Sequence, residues 1–190
     1  MNRRWLVFAA VVVAIAQIAF LVSMIAGRAM VLRDGQEVAL SVEPVDPRDL
    51  LRGDYVTLTY NISRLPLSLF ALPRSDSAGS VAVFVRLKAD ENGIFQPVAA
   101  RFEEKLESAP SEGEVDIRGQ TSMGRNFGLP SIFVRYGIER FYVPEGEGRE
   151  IERDLRERSF RMTVAVGSDG TAQIKSFHDG ETMLYAEPLY

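Results

Sequence analysis

The sequence predicts a mainly β domain, in a β-rich α+β arrangement, behind one N-terminal transmembrane helix. Three observations lead to this fold class: an uncharged apolar stretch at residues 5–26, repeated alternation of apolar and polar residues afterwards, and one short segment with helical spacing, residues 147–158. We therefore divide the chain into an anchor with its flanks, residues 1–30, and a β-rich domain, residues 31–190. An open sheet and a sandwich are both compatible with the pattern.

The apolar stretch is long enough to cross a membrane. Its 22 residues carry no charge, and the clearly polar side chains in it are Gln17 and Ser23. At a helical rise of about 1.5 Å per residue it spans roughly 33 Å, against about 30 Å for the hydrocarbon core of a bilayer. A soluble helix of this length is rarely apolar on every face. The sequence therefore predicts a single-pass signal-anchor in the lipid bilayer.

The flanking charges predict on which side of the membrane the domain lies. Arg3, Arg4 and the α-amino group precede the stretch, whereas Arg28 and Arg33 follow it and are soon met by acidic residues. This bias favours a cytoplasmic N-terminus and an extracytoplasmic C-terminal domain. A cleaved secretory signal is the alternative, but its apolar core normally covers only about 7 to 15 residues, so we favour a retained anchor.

Composition limits the chemistry of the domain. The chain carries a net charge of −4, and because residues 1–30 hold three arginines and no acid, residues 31–190 carry −7. An acidic domain argues against a nucleic-acid partner, since phosphate binding needs a basic surface. The chain has no cysteine and one histidine, His178, which we interpret as a surface residue near a turn. We therefore predict no metal site and no cofactor.

Period-two alternation predicts eight strands and two clear hairpins. The hairpins join residues 80–88 to 94–102 through an Asn-Gly turn, and residues 160–166 to 171–177 through a Gly-Ser-Asp-Gly turn. Residues 65–80 are predicted to form a long connection, and residues 147–158 a solvated surface helix. The remaining predicted strands are residues 36–43, 54–62, 114–119 and 131–136.

Residues 46–60, with Pro47 and alternating charges before a strand, are the densest local signal. Residues 53–60 read Gly-Asp-Tyr-Val-Thr-Leu-Thr-Tyr, and this first block matches every fixed position of the motif that names the GDYXXLXY family of bacterial membrane-anchored proteins. The chain resembles that family. One interpretation is a fixed loop and strand start; the other is that Arg52 and Asp54 face a partner or small ligand. The candidate residues here are Arg52, Gly53, Asp54, Tyr55, Leu58 and Tyr60.

A second block, residues 136–148, is similar to a later block of the same family. It reads Tyr-Gly-Ile-Glu-Arg-Phe-Tyr-Val-Pro-Glu-Gly-Glu-Gly, and its candidate residues are Tyr136, Glu139, Arg140 and Glu145. We favour a clasp, in which the second block contacts the first, for example Glu139 with Arg52 or Arg140 with Asp54. A ligand or partner site built from the same residues is the alternative.

The resemblance implies a place in the bacterial cytoplasmic membrane, and it implies no activity. Members of the family resemble accessory proteins, which are often encoded beside multi-spanning membrane proteins. We therefore predict a non-enzymatic, extracytoplasmic accessory or interaction protein with an integral membrane partner. Gln17 is a candidate membrane contact, because an unpaired amide in the bilayer favours a neighbouring helix.

The competing function is an exported, membrane-bound hydrolase of the Ser/Lys peptidase kind. It requires a serine beside Lys88, Lys105 or Lys175 in a pocket that lowers the pKa of the lysine. The spacing of serines and lysines selects no such pair, and no recognised nucleophile or phosphate-loop motif occurs. We predict no catalytic residue.

Overall fold

The computed structural model describes residues 3–43, 55–70, 79–122, 130–142 and 160–188. Within them, α1 (Arg3–Asp34) precedes a β domain, and a single 3-10 turn lies at Leu67–Leu69. The strands are β1 (Gln36–Glu43), β2 (Tyr55–Thr57), β3 (Thr59–Tyr60), β4 (Arg64–Pro66), β5 (Ser80–Ala89), β6 (Phe95–Phe102), β7 (Glu114–Ser122), β8 (Ser131–Phe133), β9 (Arg140–Tyr142), β10 (Phe160–Val166), β11 (Ala172–Asp179) and β12 (Thr182–Ala186). The helix predicted at residues 147–158 lies outside the described residues.

The predicted fold class is confirmed, because one apolar helix precedes strands that pair antiparallel. A five-stranded sheet has the order β12-β11-β10-β1-β3, and a three-stranded sheet has the order β6-β5-β7. Two short ladders, β2 with β9 and β4 with β8, complete the pairing among the described strands. The inner faces of the two larger sheets share one hydrophobic core, to which β1 gives Val38 and Leu40, β5 gives Val83 and Val85, and β7 gives Ile117.

Both predicted hairpins are confirmed. β5 pairs with β6 across a turn in which Gly93 has φ +75°, and the Asp90 carboxylate accepts hydrogen bonds from the amides of Asn92 and Ile94 at 2.9 and 3.0 Å. β10 pairs with β11 across a turn in which Gly170 has φ +84°. Glycine suits both turns because other residues resist positive φ.

Several elements differ from the sequence-based expectation. β8 ends three residues before the end of the strand predicted at 131–136, and β9 lies outside every predicted strand. The strand predicted at residues 54–62 is divided into β2 and β3, because the amide of Leu58 between them bonds to Glu139 rather than continuing a ladder. The connection predicted at residues 65–80 begins with β4 and the 3-10 turn. β12 was not predicted, since Met183 and Leu184 are both exposed and give no alternation.

The C-terminal turns of α1 pack on the domain. Leu32 is 1 % exposed, and the Arg28 guanidinium lies 3.5 Å from the Glu187 carboxylate, just after β12. Gly35, directly after the helix, lies close to β10, because an added Cβ there would be 3.2 Å from the Ala165 Cβ. The helix is therefore joined to the sheet by side-chain packing as well as by the chain itself.

Candidate functional site

The two sequence blocks meet at one edge of the core. β2, from the first block, pairs antiparallel with β9, from the second, with Tyr55 opposite Tyr142 and Thr57 opposite Arg140. Just after β2, the buried Leu58 donates its amide to the Glu139 carbonyl at 2.7 Å. Backbone pairing thus joins segments about 80 residues apart in sequence.

Two buried tyrosines cross this junction in opposite directions. The Tyr60 hydroxyl donates to the Ile138 carbonyl at 2.6 Å, and the Tyr136 hydroxyl donates to the Ile62 carbonyl at 2.8 Å. Tyr60 is 0 % exposed and Tyr136 is 6 % exposed, so each hydroxyl would be costly to bury without its partner. Burial, and secondly the negative charge of Glu139, raises the pKa of both phenols far above the ordinary value. Both hydroxyls therefore remain protonated donors.

Glu139 holds the turn that carries Tyr136. Its carboxylate accepts hydrogen bonds from the backbone amides of Tyr136, at 2.5 Å, and Gly137, at 3.0 Å. Gly137 has φ +84°, a conformation that favours glycine. The Tyr-Gly-Ile-Glu sequence thus forms a turn closed by its own carboxylate, and this turn aims the Tyr136 ring into the core.

Two residues outside both sequence blocks, Gly119 and Ser63, complete this junction. A Cβ on Gly119, in β7, would lie 2.4 Å from Val134 Cγ1 and 2.9 Å from Tyr136 Cδ1, so the absence of a side chain lets the second block approach. Ser63 is 0 % exposed, and its hydroxyl accepts the Tyr60 amide at 3.0 Å. No local motif marks Gly119, because its role depends on a contact with another strand.

These contacts show where the sequence motif lies in the fold. The profile of the GDYXXLXY family, described as GDYXXLXY protein, matches residues 17–177. The chain belongs to the GDYXXLXY family. No match was found among curated proteins or among solved structures.

In this GDYXXLXY protein, two of the signature residues, Leu58 and Tyr60, belong to the interior. Both are core residues, and Tyr55 begins β2. Arg140 is exposed at the start of β9, and Gln17 is exposed in α1. The other sequence candidates, Arg52, Gly53, Asp54 and Glu145, lie outside the described residues, as do the Glu139–Arg52 and Arg140–Asp54 contacts.

The lysines proposed for a Ser/Lys peptidase make other contacts where the structure describes them. Lys105 Nζ lies 3.4 Å from the Ser168 backbone carbonyl, and Lys175 Nζ lies 2.6 Å from the Glu37 carboxylate. Lys88 is exposed on β5. Neither the Lys105 contact nor the Lys175 contact places the amine beside a serine hydroxyl, which that mechanism requires.

His178 lies in β11, two residues before the turn at Gly180, so the predicted turn is present, but the residue is half-buried rather than at the surface. β12 and β10 flank it, and its Nε2 lies 2.8 Å from the Ser176 hydroxyl. Its Nδ1 is buried without a hydrogen-bond partner among the described residues. A catalytic Ser-His pair would need an acid at that nitrogen to orient the ring. Across the described ranges, no group of three or more acidic or histidine side chains forms a metal site.

Proposed function

We propose that the chain is a membrane-anchored, non-enzymatic accessory protein, which holds its β domain outside the cytoplasm beside an integral membrane partner. In bacteria this location is the cytoplasmic membrane. The observation that carries the proposal is α1, which is apolar and exposed along its length and then packs on the domain at its C-terminal end. The exposed length of this helix, its packed end and Gln17 each support a different part of the proposal.

The exposed length of α1 supports anchoring. The most apolar 18-residue window within residues 4–34 has a mean hydropathy of 2.7, and none of this window is buried in the protein. Large apolar side chains such as Trp5, Phe8 and Phe20 are 63–69 % exposed. Leaving such a surface in water is unfavourable, whereas a bilayer covers it. The 32 residues of α1 exceed the roughly 20 that a span needs, so the helix extends past the membrane into the domain.

The packed end of α1 supports retention of the helix. A cleaved signal would place the cut near Gly27 or Ala29, where the structure has continuous helix. Arg28, between those two residues, is part of the contact with Glu187. Cleavage there would remove a residue that the domain uses, and the flanking charges favour an N-terminus in the cytoplasm.

Gln17 supports a partner within the bilayer. It lies near the middle of the apolar stretch and is exposed on α1. A primary amide in hydrocarbon is stabilised by a hydrogen bond from a neighbouring transmembrane helix. Because the packed end of α1 fixes the domain relative to the helix, a partner that binds the span also meets the same face of the domain.

A cross-linking pull-down from native membranes tests this proposal. We expect the tagged full chain to recover an integral membrane protein, and the Gln17→Leu variant to recover several-fold less of it. Ser23→Ala is the matched control, because Ser23 is the other clearly polar residue of the stretch, and its recovery is expected to match the wild type. Recovery of no integral membrane protein by the wild-type chain would contradict the proposed function, and equal recovery by Gln17→Leu would exclude the helix as the contact.

A further inference from the structure

A polar groove of about 780 Å³ lies beside the junction of the two blocks, and three arginines line it. Arg118 comes from β7, Arg135 follows β8, and Arg140 begins β9. Gln120 and Thr171 also line the groove, which we call the arginine groove. Its basic residues stand out in a domain whose net charge is −7 over residues 31–190.

Backbone hydrogen bonds fix the walls of the arginine groove. Gln120 and Arg135 exchange amide-to-carbonyl bonds at 2.7 and 2.8 Å, and the Arg118 amide donates to the Gly170 carbonyl at 2.8 Å. Arg118 and Gln120 are exposed on one face of β7, while Gly119 between them faces the core. The groove is therefore a preformed feature of the fold, since its walls are tied to the core.

Acidic residues near the groove are engaged elsewhere. The Glu139 carboxylate accepts two backbone amides of its own turn, and the Asp169 carboxylate accepts the Thr171 amide and hydroxyl at 2.9 and 2.7 Å. Among the described residues, no carboxylate forms an ion pair with Arg118 or Arg135; the Arg118 guanidinium instead lies 5.9 Å from the centre of the Phe84 ring. The three arginines and Glu139 give the lining residues a formal charge of +2, and Asp169, outside the lining, acts on Arg118 through its negative charge.

One end of the arginine groove lies near the last turns of α1. Thr171 accepts the Gly167 amide at 2.9 Å, and a Cβ at Gly167 would lie 3.1 Å from Val31 Cγ2 in α1. Val31 is five residues past Ala26, the end of the apolar stretch, which is about 8 Å along a helix. The headgroup layer is roughly 5–8 Å thick on each side of a bilayer. Headgroups and the near end of the groove are therefore at similar depth.

We propose that the arginine groove binds the phosphate-bearing headgroup of an anionic lipid in the membrane that anchors the chain. This inference rests on the anchoring in the proposed function. Guanidinium groups suit the ligand, because their planar N–H donors bind phosphate oxygens in pairs. A lipid is favoured over a soluble anion because the groove lies where headgroups are concentrated.

Lipid retention by the purified full chain tests the proposal. The chain is incubated in detergent with equal amounts of phosphatidylglycerol and phosphatidylcholine, and the lipid that remains bound is counted by native mass spectrometry. We expect phosphatidylglycerol to exceed phosphatidylcholine on the order of tenfold, and Arg118→Gln, Arg135→Gln or Arg140→Gln each to lower its retention about fivefold. Equal retention of the two lipids by the wild type would overturn the proposal.

Two control variants separate the groove from general positive charge. Arg33→Gln removes an exposed arginine that lies near the membrane but outside the groove, and Arg101→Gln removes one that pairs with Glu104 and Glu107. Both are expected to retain phosphatidylglycerol like the wild type. If either control loses as much lipid as the groove variants, the charge of the chain rather than the groove binds the lipid, and the proposal fails.

Further arms distinguish the source of the anion and the role of the anchor. If inorganic phosphate binds more tightly than phosphatidylglycerol, the groove is a site for a free anion, and the proposal of a lipid ligand is overturned. Groove variants that retain lipid normally but lose the membrane partner would assign it to an acidic protein segment instead. Carbonate extraction of the same variants reports on anchoring separately: loss from the membrane pellet contradicts the proposed function, whereas normal pelleting with reduced lipid retention supports the groove.

Discussion

Tyr60 and Tyr136 donate hydroxyl hydrogen bonds past each other, each to a backbone carbonyl two residues from the other tyrosine. Tyr60 reaches Ile138, two residues after Tyr136, and Tyr136 reaches Ile62, two residues after Tyr60. The final tyrosine of the family motif is therefore an interior residue that connects distant segments. This arrangement explains the pairing of the two sequence blocks without assigning either a catalytic role.

Removing either hydroxyl is expected to destabilise the domain. Tyr60→Phe and Tyr136→Phe each leave a buried carbonyl without its donor, which costs about 1–3 kcal/mol of unfolding free energy. Urea unfolding of the purified full chain, followed by near-ultraviolet circular dichroism, measures the loss. Ser80→Ala is the control, because that hydroxyl is exposed and lies 3.4 Å from the Gln120 side chain, and we expect a loss of less than about 0.5 kcal/mol. Wild-type urea midpoints for both core variants would contradict this account.

Glu139 is expected to contribute through its two backbone amides. Glu139→Ala leaves the Tyr136 and Gly137 amides without the carboxylate, and hydrogen bonds to a charged group contribute about 1.5–3 kcal/mol. Glu139→Gln keeps one acceptor oxygen, so we expect an intermediate loss in the same unfolding measurement. Glu91→Ala, in the exposed turn between β5 and β6, is the matched control and should change stability by less than about 0.5 kcal/mol. Equal effects of Glu139→Ala and Glu91→Ala would show that the turn does not depend on the carboxylate.

Gly119 is expected to tolerate no side chain. In Gly119→Ala the new Cβ would overlap Val134 Cγ1 and approach the Arg135 carbonyl to 2.9 Å, so β7 or the second block must move. Overpacking of this kind costs about 1–3 kcal/mol or more. The matched control is Gly27→Ala, because a Cβ at Gly27 meets no atom within 4 Å. Thermal unfolding midpoints compare the two, and an unchanged midpoint for Gly119→Ala would contradict the close approach.

Stability is expected to fall in mild acid because of His178. Burial lowers the pKa of His178 below its ordinary value near 6.5, and the neighbouring charge of Arg161 lowers it further. The unfolded chain then binds a proton at a higher pH than the folded chain. The contribution of neutral His178 to the free energy of unfolding is therefore complete above about pH 6.5 and is lost as the pH falls towards the folded pKa. Unfolding free energies measured between about pH 5 and 8 should show this slope, and His178→Gln should remove it. A slope that survives in the variant would assign the effect to another group.

The sequence predicts the local parts of this structure well, because local patterns encode them. Alternating apolar residues place Val83 and Val85 in the core, and the turn before Gly93 identifies the β5–β6 hairpin. The same alternation places Leu58 and Tyr60 on one face, and both are buried. These features need only the residue types and the two-residue period of a strand.

The parts that were not predicted depend on contacts between distant segments. The role of Gly119 follows from the approach of Tyr136, and the arginine groove unites residues from β7, the segment after β8, and β9. The sequence selects Glu139, whose carboxylate accepts two amides of its own turn; the contact proposed with Arg52 lies outside the described residues. The partners of Gly119 and of the groove arginines are set by sheet packing, about which residue spacing carries no information, whereas the amide partners of Glu139 lie only two and three residues away.

The most direct test of the account is the form and location of the mature chain in the cell. We predict a chain that retains α1 in carbonate-washed membranes, and we expect trypsin to degrade its β domain when it is added to the outside of spheroplasts. Mass spectrometry of the membrane fraction, before and after trypsin, makes the measurement. A soluble species that begins near residue 28, or a domain that is protected from external trypsin, would contradict an anchored protein that works outside the cytoplasm.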